Sequence, residues 1–193
     1  MARFLTLLAL TLPAWALAQP AVLWSTNYYS VTGATVREIH QSMRQNRPWK
    51  STSQHDGFTQ WHVAWNFYLS PSDNKCRLTS FSTRTTVAIT LPRWTAPTNA
   101  TEDVRTAWER FINALGKHEA GHGQMALAAA AEIQKRARES GEDADCAALK
   151  QKINNLGQSI VEQYRARDKE YDERTKHGVT QGAVLSRRHR DEL

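Results

Sequence analysis

The sequence predicts an α+β domain: a small, mostly antiparallel sheet, then a long helix carrying H-E-x-x-H, then a second C-terminal helix. Two patterns carry this. Trp61, Val63, Trp65, Phe67 and Leu69 alternate with His62, Ala64, Asn66 and Tyr68, the two-residue period of a strand with one buried face. Val104, Trp108, Phe111, Leu115, His118, His122, Met125, Ala129 and Ile133 then recur at steps of three and four, the period of a helix face. With 193 residues, 40% hydrophobic and 23% charged, the chain suits one globular domain and excludes wholesale disorder. No repeat or low-complexity tract points to a solenoid or fibre.

Taken in order, residues 1–18 read as a secretory signal peptide. Arg3 gives the basic start, Phe4 to Leu17 the apolar run, and Ala16-Leu17-Ala18 the small-residue cleavage site. Residues 19–193 are then a single mature domain with no later stretch long enough to span a bilayer. A helix is expected over residues 34–45, where Val36, Ile39, His40 and Met43 share a face. Residues 46–56 are a polar, Pro-containing loop. The strand at 61–69 ends in the turn Pro71-Ser72-Asp73-Asn74, and strand-like segments follow at 76–83 and 85–91. Thr101 is the expected N-cap of the long helix, with Glu102 and Asp103 in its first turn. Gly141 ends it, and a second helix starts near Asp143 or Asp145 and stops by Gly178. The polar residues 185–193 are expected to form a frayed tail.

Export bears on the two cysteines, Cys76 and Cys146. An even count in an oxidising compartment predicts one disulfide, worth roughly 4 kcal/mol for a loop of about 70 residues on the chain-entropy account. The formal net charge of +6 is scattered among acids except at Arg187-Arg188-His189-Arg190. An exported chain of this kind is not read as a nucleic-acid binder, and the charge serves solubility.

The segment that carries chemistry is His118-Glu119-Ala120-Gly121-His122. On a helix the i, i+4 spacing sets both imidazoles on one face, where they can bind one zinc ion. Glu119 lies about 100° around the helix, placed to take a proton from a metal-bound water. Chance placement gives on the order of 0.01 such matches in a chain of this composition. The motif also falls inside the apolar stripe, so the rings should point inward. Competing readings are a hydrogen-bonded pair of core histidines or a structural metal site. Gly116, Gly121 and Gly123 around the motif suggest close approach by another element or by substrate.

A catalytic zinc needs a third protein ligand and an open position. Met125 and Ala128 stand where the extended motif would place Gly and a third His, so that subclass is excluded. Candidates are Glu132, Glu162, Asp168, Glu170, Asp172, Glu173 and His177. A straight helical hairpin turning near Gly141 returns the chain beside His118 around Asp168 or Asp172. Tyr171 lies nearby and could donate to a developing oxyanion or pack in the core. His40, His55, His62 and His189 lack ligand spacing, and the tryptophans read more readily as core than as a substrate groove.

Tyr171-Asp172-Glu173-Arg174-Thr175-Lys176-His177-Gly178 resembles the Y-D-x-x-T-x-H-G signature of the bacterial domain of unknown function 922 family. The resemblance extends to Trp61, Trp65, Cys76, Leu91-Pro92-Arg93-Trp94 and the H-E-x-x-H helix. Its members are described as predicted secreted zinc-dependent proteases. The resemblance therefore implies a zincin-like fold and His177 as third ligand, with Asp172 as the alternative. It also implies a peptide or protein substrate, in the periplasm or outside the cell. The expectation is an exported zinc peptidase using His118, His122 and His177 for zinc and Glu119 and Tyr171 for catalysis. The rival is a non-catalytic envelope protein with a structural metal or binding role.

Overall fold

The structure, a computed structural model, describes residues 21–49 and 55–186. The signal peptide expected at 1–18 lies outside the described residues. The element order is β1 (Ala21–Val31), α1 (Val36–Asn46), β2 (Phe58–Ser72), β3 (Lys75–Trp94), α2 (Glu102–Glu139), β4 (Glu142–Asp143) and α3 (Cys146–Thr175), with a final 3₁₀ turn at Val179–Gln181. The α+β class holds. Among the described residues no helix is long and apolar enough to cross a membrane.

The sheet is mixed, which corrects the mostly antiparallel expectation. β3 is central: β2 pairs with it antiparallel, and two residues of β4 pair antiparallel with its start. β1 runs parallel to β3, from Ala21 opposite Arg84 to Val31 opposite Trp94. The chain between them passes through α1 and β2, and a parallel partner needs such a crossover. Nothing in the β1 residues announces that distant partner. The expected strands at 76–83 and 85–91 are one strand, β3. The turn before it closes through Asp73 and Asn74, both at positive φ.

The alternation read in β2 is the real burial pattern, with Val63 buried and Phe58, Gln60, His62, Asn66 and Tyr68 exposed. In β3, Phe81, Thr83, Thr85, Val87, Ile89 and Leu91 are buried, so odd-numbered residues face the helices. Against them lies α2, burying Val104, Trp108, Phe111, Leu115 and Ile133. Its small residues Ala126, Ala129 and Ala130 are also buried, and α3 packs alongside.

α3 begins at Asp145, whose carboxylate accepts from the Ala148 N–H at 2.8 Å. The expected disulfide is present, tying Cys76 at the start of β3 to Cys146 in the first turn of α3. α3 runs unbroken to Thr175. Then Lys176, His177 and Gly178 all take positive φ, reversing the chain toward α2. The segment after them is docked rather than frayed at its start. Ala183 and Leu185 are buried, and the Leu185 carbonyl lies 3.0 Å from His40 Nε2. Residues beyond 186 lie outside the described ones.

Candidate metal centre

His118 and His122 sit mid-way along α2, only 2% and 6% exposed. Their helix spacing turns both rings toward α3, where the antiparallel return brings Asp168 and Asp172. His118 Nε2 and His122 Nε2 are 3.3 Å apart, and each lies 3.1 Å from Asp172 Oδ1. The outer nitrogens are already engaged: His122 Nδ1 with Asp168 Oδ1 at 2.8 Å, His118 Nδ1 with Gln181 Oε1 at 2.9 Å. Asp168 is itself held by the Trp61 indole N–H of β2, at 2.9 Å from its other oxygen.

This triangle fits a metal. Ligands about 2.0–2.1 Å from a tetrahedral zinc stand about 3.3 Å from one another. With both Nδ1 atoms donating outward, the Nε2 lone pairs and a carboxylate oxygen face a common point. Three acceptors so close repel unless a cation or a proton lies among them. Burial pulls the His122 pKa down, but the hydrogen bonds it donates to Asp168 and Asp172, with their charges, outweigh it and raise it to about 10. Burial raises the Asp172 carboxyl, yet His118, His122 and His177 hold it below the usual carboxylate range. The donors of His118, His122 and Asp172 lie within 4.8 Å of one another, a group that could hold a metal ion.

Glu119 lines the same cleft, a space of about 130 Å³ also bordered by His55, Gly57, Thr59, the three donors and His177. It is 3% exposed, and its Oε2 accepts from the Thr59 hydroxyl at 2.7 Å. Oε1 lies against Gly57, where a Cβ would come within 2.5 Å of it. Burial raises the Glu119 pKa, and the Thr59 hydrogen bond works against that rise.

His177, the favoured third ligand, is placed at the rim. It is half-exposed, with Nδ1 3.3 Å from Asp172 Oδ1, and it is not one of the three clustered donors. The reason is local: α3 does not end early, so Asp172 arrives opposite the histidines and His177 falls in the reversed turn. Tyr171 stacks on the His118 ring at 5.0 Å and 14°. Its hydroxyl reaches the His118 carbonyl at 3.3 Å and the Gln181 amide, and the residue does not border the cleft. It packs on the His118 ring.

The glycines admit neighbouring elements. A Cβ on Gly121 would stand 2.4 Å from the Tyr171 hydroxyl, and one on Gly123 would strike the Trp24 ring at 2.2 Å. Gly116 has only an ordinary neighbour, Leu91 at 3.9 Å. Gly57, Thr59 and Gln181 escaped the sequence reading, and His55 was set aside there. Its ring stacks between Trp49 and Phe58, and among the described residues its buried Nδ1 has no hydrogen-bond partner. None of these carries a spacing signal, because each reaches the site from a remote element.

The model of a family described as bacterial protein of unknown function (DUF922) matches residues 26–178. No curated protein and no solved structure matches the chain. The match spans most of the sequence, and the chain belongs to the DUF922 family.

Proposed function

We propose that this member of the family is an exported zinc-dependent hydrolase, a peptidase, with His118, His122 and Asp172 as the zinc-holding residues. The observation that carries this reading is the triangle of two Nε2 atoms and Asp172 Oδ1 at 3.1–3.3 Å, with both Nδ1 atoms already bonded and Glu119 on the same cleft. When bound, zinc supplies Lewis acidity and brings the pKa of a water toward neutrality.

The chain's own residues do the rest. Thr59 holds Oε2 of Glu119, which leaves Oε1 as the atom that accepts the water's proton and passes it to the leaving amine. Burial of that carboxylate makes it a stronger base than a solvated one. Asp168 holds the His122 imidazole in one tautomer and one orientation. His177 steadies Asp172 from the rim of the cleft.

A peptide substrate fits the sheet. Among the described residues β2 pairs only with β3, so its other edge offers unpaired backbone groups, and its first residues, Phe58 and Thr59, border the cleft. An extended chain can add to such an edge. The disulfide accords with an oxidising compartment.

The test is metal analysis of the purified mature protein together with turnover on peptide libraries. One zinc per chain and chelator-sensitive cleavage are expected. Glu119→Gln should keep the zinc and lose about 10²- to 10⁴-fold in rate. Zinc without turnover in the wild type would make the centre structural, in a non-catalytic envelope protein. Failure to take up any metal would overturn both readings.

A further inference from the structure

The two imidazoles are braced unequally. His122 leans on a carboxylate, Asp168, whereas His118 leans on an amide, Gln181. Gln181 lies past the segment that the family model matches, which ends at residue 178. It belongs to the 3₁₀ turn that the left-handed residues Lys176, His177 and Gly178 aim back at α2. A Cβ on Gly178 would stand 3.0 Å from His118 Cγ, so the turn can approach the ring only with glycine there.

We propose that Gln181 is a positioning residue of the metal centre: its side-chain carbonyl keeps the His118 proton on Nδ1, so that the Nε2 lone pair faces His122 and Asp172. This rests on the reading of His118 as a metal ligand. A neutral imidazole carries one N–H, and the partner of one nitrogen decides which nitrogen is free. Tyr171 locks the amide in turn. Its hydroxyl lies 3.2 Å from Gln181 Oε1 and 3.1 Å from Nε2, while its ring stacks on His118. Asp168, Asp172 and Glu119 already bring three negative groups, and Gln181 accepts the Nδ1 proton without adding a fourth.

Gln181 is exposed, so replacing it removes the hydrogen bond without opening the core. The experiment uses Gln181→Leu and Gln181→Glu in the full mature chain. Imidazole ¹⁵N spectra of the metal-free protein report the tautomer, and competition with a zinc chelator reports affinity. The wild-type His118 should be protonated at Nδ1. Gln181→Leu should mix the tautomers and weaken zinc about 10- to 100-fold, the usual effect of losing such a partner. Gln181→Glu, which keeps the acceptor, should restore the Nδ1 proton and bind zinc at least as tightly as wild type. A Gln181→Leu protein with unchanged tautomer and affinity overturns the proposal, as does Gln181→Glu binding as weakly as Gln181→Leu. A wild type that takes no zinc sinks the metal reading instead, and the tautomer spectra then decide the role of Gln181 alone.

Discussion

His122 decides how the centre behaves without metal. With its pKa raised to about 10, it carries a proton at neutral pH, placed between His118 Nε2 and Asp172 where the ion would sit. Metal must displace that proton. Calorimetry in buffers of different ionisation enthalpy at pH 8 should show about one proton released per zinc, and apparent affinity should climb with pH; no release would contradict the assignment. The sign for stability follows. A folded pKa above the unfolded value of about 6.5 means that the charged His122 stabilises the metal-free fold fully below that value. This contribution disappears as pH rises through about 10. Melting temperatures of the metal-free protein should therefore fall from pH 7 to pH 10. At this scale the sequence was readable where the signal is local. His118, Glu119 and His122 follow from a five-residue spacing, whereas Thr59, Trp61 and Gln181 bond to partners 60, 107 and 63 residues away.

Elements explain which donors meet. Counting residues around the α2–α3 hairpin brings Asp168 and Asp172 back to the histidines, and that arithmetic was sound because α3 is unbroken to Thr175. The terminal imidazole of the family signature pointed to His177, but a residue at φ 51 after the helix end no longer follows the helix. The close fit of α3 on the sheet is testable. A Cβ at Gly157 would stand 2.5 Å from the Trp65 ring, and Trp65 is fixed by its indole bond to Asn154. Gly157→Ala gains about 1 kcal/mol of helix propensity and meets an overpacking cost of about 1–3 kcal/mol. A net loss of up to about 2 kcal/mol is expected in urea unfolding, and a clear gain would show that the ring moves freely aside.

For the whole molecule, the disulfide and the sheet order set how the parts hold together. The bridge spans 70 residues at the hairpin end, remote along both helices from the histidines. Reduction should lower stability by about 2–4 kcal/mol while leaving zinc affinity unchanged in the protein that stays folded. A loss of affinity on reduction would mean that the two ends are coupled. The class, the two long helices and the cysteine pair were legible because each depends on local period or on simple parity. The direction of β1 was not, since register between distant strands is written only in the assembled core. That parallel strand has a kinetic consequence. Ala21 meets Arg84, so the first strand to leave the ribosome waits for a partner made some sixty residues later. Until then Leu23, Trp24 and Tyr28, exposed even in the finished fold, have no sheet to join. Closing so long a separation is slow, so the apolar side chains of the first strand stay in water until β3 is complete.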